Sequence, residues 1–322
     1  MARIEGLEPA LVEEFLRALE FGDEPRHQDL EERIVAAPDD PDGYEVYADW
    51  LEAHGDEQAA LIRSTSSVRT ADYAAGFGIR RSLEWRHGFV RKAAWFRDED
   101  DSDWRQFLRH RAFALIEELR ICDSEHLGLG NFDFGPVGPE AWATFARLPL
   151  LHTLALDFMV LRKVPLDLEL PGLLHLNLHW CVIEDTRVLP RLPSLRSLSL
   201  TNDEFYLPGD LTGLALLPAL ETVAIDTMSS PRSDLPEALA RCENLRTLCM
   251  LDRASDLRAF IPIPQLRRLV VPEEALDRVR EVLRSVRPDL EVAAITQAPR
   301  SWWIWPHETT LDDFPDYFLF PY

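Results

Sequence analysis

No run of 18 or more apolar residues occurs in the 322-residue chain, so no segment reads as a membrane span. The opening MARIEGLEPALVEEF lacks a basic region followed by an uninterrupted apolar stretch, and no secretory signal is expected. Cysteine is scarce. The four present (Cys122, Cys181, Cys242, Cys249) form no C-x-x-C pair and no disulfide-like framework, which fits a reduced cytoplasm. G-x-G-x-x-G, the P-loop and H-E-x-x-H are missing too, and with them the nucleotide and zinc-protease readings they carry. Positive charge is also short: 34 Lys and Arg stand against 56 Asp and Glu, a net charge of −22. A surface this acidic repels phosphate backbones and excludes nucleic acid as a general partner. The imbalance is steepest at the start, where residues 1–62 hold 18 acidic and 4 basic side chains. The simpler account is solubility for an apolar-rich chain; the alternative is an acidic head that meets a basic partner.

What the chain does have is a period. The pattern apolar-x-x-apolar-x-apolar occurs eight times between Ile116 and Ile295. The sets are Ile116/Leu119/Ile121, Leu151/Leu154/Leu156, Leu173/Leu176/Leu178, Leu195/Leu198/Leu200, Leu220/Val223/Ile225, Leu245/Leu248/Met250, Leu266/Leu269/Val271 and Leu290/Ala293/Ile295. Their first positions are 35, 22, 22, 25, 25, 21 and 24 residues apart. Pro149, Pro171, Pro193, Pro218, Pro264 and Pro288 keep the same phase, each two residues before a first apolar position. Proline cannot donate to a ladder, so it belongs just ahead of a strand.

This spacing resembles the leucine-rich repeat, whose units run 20–29 residues. The fold class expected is α/β: a leucine-rich-repeat solenoid with a curved parallel sheet and helices or irregular turns on its convex side. Ordering about 20 residues costs roughly 1–2 kcal/mol each, whereas the few large apolar side chains of one unit return only about 1.5–3 kcal/mol each. A unit is therefore stable only when stacked on neighbours. The ninth position departs from the repeat's usual Asn or Cys: it reads Ser124, Met159, Cys181, Asp203, Met228, Arg253 and Glu274, and only Cys181 fits directly. The backbone groups of those turns must find other partners.

Residues 1–80 read as a small all-helical module. Leu11, Val12, Phe15, Leu16 and Leu19 mark a helix beginning near Pro9, and a second covers residues 29–36. A third starts with Asp40 as cap and Pro41 in the first turn, takes its apolar face from Val46, Tyr47, Trp50 and Leu51, and leaves through Gly55. Asp56 caps a further helix carrying Ala60 and Leu61. The stretch Pro38-Asp39-Asp40 … Tyr47-Ala48-Asp49-Trp50-Leu51-Glu52 … Gly55-Asp56 resembles the bacterial repeat-companion domain, over roughly residues 10–66. Trp85-Arg86-His87-Gly88-Phe89-Val90 extends the likeness more weakly. The resemblance implies a module that precedes repeats in a bacterial cytoplasmic protein, and it brings no catalytic residue.

The solenoid is expected over 81–297. Its N-terminal cap is 81–113, where Val90, Ala93 and Trp95 repeat the pattern and a helix covers about 102–113. A glycine-rich loop is inserted at about 127–140. Residues 298–322 form an aromatic tail.

Alternate strand residues face opposite ways, so the positions between the leucines line the concave sheet and its rim. Asp157, Phe158, His175, His179, Trp180, Asp226 and Asp252 are the candidate partner-binding residues there. His175 and His179 lie four residues apart, about 13 Å along a strand, too far to grip one metal ion; no metal or cofactor is expected. Trp302, Trp303, Trp305, Phe314, Tyr317, Phe318, Phe320 and Tyr322 give the tail a capping role, a docking role, or both. The function expected is non-catalytic binding of another protein, an enzyme encoded nearby among the candidates, with neither nucleic acid nor membrane as partner. The alternatives are a client that a partner enzyme recognises or cuts, and an enzyme built around His175, His179 and Asp157.

Overall fold

The computed structural model describes residues 27–56, 58–63, 68–74, 78–96, 104, 108, 110–122, 135–157, 159–161, 168–179, 181–183, 189, 191–202, 211–227, 235–250 and 262–294. The helix expected near Pro9 and the whole aromatic tail lie outside them. The chain is α/β with mostly parallel strands and divides into two compact units. Of the described residues, the first unit takes those up to Cys122 with Arg147–Leu151, and the second takes the rest.

The first unit begins with helices α1 (Gln28–Ala36), α2 (Pro41–Ala53) and α3 (Gln58–Arg63). Asp40 Oδ1 accepts from the Asp42 N–H at 3.1 Å and opens α2, with Pro41 in its first turn. The helix closes on Gly55, φ +72°, where the Asp56 N–H bonds the Leu51 carbonyl and the Gly55 N–H that of Glu52. That pair of bonds is a Schellman exit, which needs a left-handed residue and so favours glycine. Asp56 Oδ1 then accepts from the Gln58 N–H at 2.9 Å and starts α3. The buried face of α2 differs from the expected one. Tyr44, Tyr47, Ala48 and Leu51 enter the core with Ile34, Ile62, Phe89 and Leu115, Trp50 packs at its margin, and Val46 is 39 % exposed. The two tyrosines carry more apolar area than a valine, and each hydroxyl finds an acceptor, Tyr44 at the Pro38 carbonyl and Tyr47 at Glu31.

The all-helical reading of residues 1–80 fails beyond Arg63. Strands β1 (Val68–Ala74), β2 (Gly78–Arg86) and β3 (Phe89–Phe96) form an antiparallel meander, and the expected boundary at 80/81 falls inside β2. The signal was present in the alternation of Ile79, Leu83 and Trp85, a period of two where a helix needs 3.6. β2 and β3 meet in a two-residue hairpin whose central residues, His87 and Gly88, both have positive φ, as a type I′ turn requires. A Cβ at Gly88 would lie 2.8 Å from the Ile62 backbone nitrogen, so glycine is also needed for the close approach. β3 continues in parallel with β4 (Glu118–Cys122), setting Ala93 beside Leu119 and Trp95 beside Ile121, in the expected phase. Of the helix expected over about 102–113, the described residues include helical Trp104, whose carbonyl accepts the Leu108 N–H at 3.2 Å, and then a 3-10 turn, Arg111–Phe113, started by His110 Nδ1 accepting from the Ala112 N–H.

A buried arginine fastens this unit. Arg111 Nε donates to Gln58 Oε1 at 2.6 Å and Nη2 pairs with Asp56 at 2.5 Å, while Gln58 Nε2 donates to the Gly88 carbonyl at 2.9 Å. Asp56 thus closes one helix exit, caps the next helix and neutralises a buried guanidinium. Arg91, equally buried, pairs with Glu117 at 2.9 Å. Charge-assisted bonds of this kind satisfy the donors that burial would otherwise strand.

The second unit carries the period. Strands β5 (Gly135–Val137), β6 (Thr153–Asp157), β7 (Met159–Leu161), β8 (His175–His179), β9 (Val182–Ile183), β10 (Ser197–Asn202), β11 (Thr222–Thr227), β12 (Thr247–Met250), β13 (Arg268–Val271) and β14 (Glu291–Ala294) are all parallel to their neighbours. β6, β8 and β10–β14 form one sheet in chain order; β5, β7 and β9 form a smaller one. Part of the expected glycine-rich loop is therefore regular: β5 is followed by helix α4 (Pro139–Phe145), which begins after Gly138 and buries Trp142 and Phe145. From Ile116 to Val271 no apolar position of the seven sets is more than 3 % exposed. Fourth positions face fourth positions across the sheet, Leu154 to Leu176 to Leu198 to Val223 to Leu248 to Leu269.

The prolines have a more specific place than the edge of a strand. In every set from Leu151 to Leu290 the first residue donates its N–H to the carbonyl three residues back, at 3.0–3.3 Å. Six of these seven turns have proline at the second position, where its fixed φ suits the turn and its missing N–H is not wanted. The accepting residues Leu148, Leu170, Leu192, Leu217, Cys242 and Ile263 are themselves buried, an apolar position that the three-point pattern left out. Side chains satisfy neighbouring turns as well: Asn244 Nδ2 reaches the Pro218 carbonyl, and Gln265 Nε2 reaches those of Leu239, Ala240 and Cys242. The thiol of Cys181, at a ninth position, donates to the Leu156 carbonyl at 3.1 Å.

The last set departs from the expected phase. Leu290 still closes its turn, but Leu269 faces Val292 and Val270 faces Ala293, one residue out of step with Leu290/Ala293/Ile295. The slip brings a valine rather than an alanine into the ladder, and the valine has more apolar surface to bury.

His87 gives the first unit a pH dependence. It stacks on Tyr44 with ring centroids 4.5 Å apart, and burial, then the Arg86 and Arg91 guanidiniums, hold its imidazole below the ordinary value. The unfolded chain therefore binds this proton at higher pH than the folded one, and stability falls as pH drops through about 6.5 toward the lower folded value. Asparagine tolerates positive φ and does not titrate. Between pH 7.5 and 5 the thermal midpoint should fall further for the unaltered chain than for His87→Asn; parallel curves would refute the assignment.

Candidate functional site

The sheet face opposite the leucines is built from the third, fifth and seventh positions of each set. Register fixes which of these meet. Thr153, His175, Ser197, Thr222, Thr247 and Arg268 form the third-position row. Ala155, Asn177, Ser199, Ala224, Cys249 and Val270 form the fifth. In the seventh, Asp157 faces His179, so the carboxylate is beside His179 rather than His175.

The face is not the uniformly open groove that the sequence suggests. Asp157 is 1 % exposed and leaves the set of residues able to touch a partner. Thr153, Ala155, Ser197, Ser199, Ala224 and Cys249 are also buried. Val270 packs against Ala224 and Cys249. His175, Asn177, His179, Thr222, Thr247 and Val270 are half-buried, and Arg268 is exposed. Which positions are open and which closed therefore differs from strand to strand, and a periodic pattern does not encode it.

Phe158, Trp180 and Asp252 lie outside the described residues, as do the tail positions Trp302, Trp303, Trp305, Phe314, Tyr317, Phe318, Phe320 and Tyr322. Asp226 is placed by backbone alone, facing Thr201 in β11. Strand alternation places Asn177 on this face as well, and the site reading missed Arg268, for which the same alternation carries the signal.

The cysteines offer little nucleophilic chemistry. All four are buried, and burial pushes the Cys242 thiol up to about 11 and the Cys249 thiol up to about 12 despite the nearby Arg268. A thiol held neutral is a poor nucleophile. Among the described residues no group of three His, Cys, Asp or Glu side chains is placed to hold a metal ion. Nor, among them, is any helix long and apolar enough to cross a membrane. The chain matches no protein-family model and no curated protein.

Burial of Cys249 has a direct chemical readout. In the native chain Cys249 should resist alkylation at pH 8 for as long as the fold persists, and react at the unfolding rate in denaturant. Rapid native labelling of Cys249, located by mass spectrometry, would show that this position is open.

Proposed function

We propose that this chain is a non-catalytic leucine-rich-repeat protein that binds another protein through the face opposite its leucines. Supporting the repeat reading is the in-register stack: one parallel strand every 21–25 residues, each opened by the same turn. Supporting the binding reading is what the stack sets in line. His175, Asn177, His179, Thr222, Thr247 and Arg268 come from strands of one continuous sheet and are all at least partly solvent-accessible. A rigid sheet that holds varied side chains at fixed spacing needs little ordering when a partner docks, which favours recognition. Burial of the cysteines, with the Cys242 and Cys249 thiols pushed up, agrees with a non-catalytic role. We read α1–α3 as the repeat-companion module of a bacterial cytoplasmic protein, since the residues of its motif each have a physical role. Asp49 and Glu52 both bind Arg63 at 2.7 Å, Leu51 fills the core, and Gly55 and Asp56 turn the chain into α3.

A titration tests the binding face. A partner captured from native lysate and identified is titrated against the unaltered chain and against Asn177→Arg/Thr222→Arg. Both positions are half-buried on the accessible part of the face, so the thermal midpoint is measured alongside and should move by no more than about 4 °C. Binding should weaken at least about tenfold, a loss of roughly 1.4 kcal/mol. Equal affinity for both chains would remove this face as the site, and recovery of a cleaved chain would favour the client reading.

A further inference from the structure

Helix α2 turns a mixed face to solvent. At 3.6 residues per turn its inward side takes Tyr44, Tyr47, Ala48 and Leu51, and the outward side divides in two. Along one half run Val46 and Trp50, four residues apart and so neighbours on the helix; Val46 is 39 % exposed and Trp50 half-buried. Along the other run Asp42, Glu45, Asp49 and Glu52, all exposed. Trp50 is fixed where it stands. Its ring centroid lies 5.1 Å from that of His27, 4.3 Å from that of His54 and 5.9 Å from that of Tyr47. A large ring already held in one orientation loses little entropy when a partner covers it, and tryptophan is accordingly common among interface anchors. Arg63 bonds Asp49 and Glu52 at 2.7 Å and approaches Glu45 at 3.8 Å. One cation thus stands against three carboxylates, and Asp42 adds a fourth.

We propose that this face docks a basic amphipathic segment of a partner protein. An aliphatic or aromatic side chain of the segment rests on Val46 and Trp50, and its lysines or arginines meet Asp42, Glu45 and Asp49. Charge selects this occupant. Residues 27–63 carry 11 Asp and Glu against 2 Arg and no Lys. The ends of the chain itself do not complement them: residues 1–26 hold 7 acidic and 3 basic side chains, and residues 298–322 hold 4 and 1. Like charge would then meet like charge, and a second copy, at a net charge of −22, is disfavoured on the same ground. Exposed ion pairs are weak and screened by salt. The apolar pair therefore supplies most of the affinity, and the carboxylates supply the choice of partner and the speed of encounter. Helix α2 belongs to the first unit, so this surface is separate from the sheet face of the second and stands or falls independently of it.

The probe is a fluorescein-labelled peptide with leucine and lysine at helical spacing, titrated against the full chain by anisotropy. It should bind saturably, and a leucine/glutamate counterpart should not. Val46→Gln keeps the charge and removes the apolar contact. It should weaken binding at least about fivefold, with the thermal midpoint within about 2 °C of that of the unaltered chain. Asp42→Asn/Glu45→Gln should weaken it comparably at low salt and less at high salt. Glu243→Gln/Glu281→Gln removes the same charge from exposed positions of the second unit and should leave binding unchanged. Equal weakening by the two neutralised pairs would mean that net charge alone draws the peptide, and would overturn the assignment. Unchanged affinity of Val46→Gln, or no saturable binding at all, would do the same. So would a large fall in the thermal midpoint of Val46→Gln, because the chain itself would then cover this face.

Discussion

Each layer of the repeat array hangs on one carbonyl of the layer before it. The second-position carbonyls of His152, Leu174, Arg196, Glu221 and Arg246 lie on successive sets. The first four of them accept two N–H groups each, from the second and third positions of the next set, at 2.8–3.1 Å, and Arg246 accepts from Arg267 and Arg268 in the same way. Two donors on one acceptor fix where the next strand begins. Because strand side chains alternate, a start displaced by one residue would send every leucine to the other face. Register therefore follows from the turn, and burial of the leucines follows from register. At the end of the array, among the described residues, the Arg267 carbonyl accepts one such N–H, that of Glu291. That is also where the pairing slips by a residue, so the loss of the second donor and the loss of phase go together.

The turn that delivers those donors depends on the prolines. A residue with φ already near −65° reduces the entropy lost when the turn forms, and repeating that economy at six turns favours one phase over the competing ones. In the first unit a different device has the same effect. Asp56, Gln58, Arg111 and the Gly88 carbonyl form one buried polar network, and its links from Arg111 and to Gly88 join elements far apart in sequence. The network places helix α3 against the β2–β3 hairpin, at the point where only glycine fits.

The ladder was legible in the sequence because leucines at three positions recur with little variation, and the helix caps because Asp40, Pro41, Gly55 and Asp56 act locally. Features that depend on distant partners were hidden. The strands β1 and β2 were obscured by charged residues such as Arg69, Asp72 and Glu84 standing among the apolar ones, so the period of two covers only a few residues. Tyr44 and Val46 lie on nearly opposite sides of α2, but each has an apolar residue three or four positions on, Tyr47 for Tyr44 and Trp50 for Val46, so spacing alone offers either stripe. Of the binding face, strand alternation identified the right positions but not their openness. Asp157 is closed and His179 beside it half-open, and the adjacency of the two across 22 residues is set by the fold rather than by neighbours in sequence.

Amide hydrogen exchange of a Leu198→Asp chain tests the stacking account most directly. An aspartate at a fully buried ladder position removes packing on both sides at once. If layers stand only by mutual support, protection should collapse together at Leu174/His175, Arg196/Ser197, Glu221/Thr222 and Arg246/Thr247. Loss of protection confined to the altered strand, with its neighbours still slow to exchange, would contradict it.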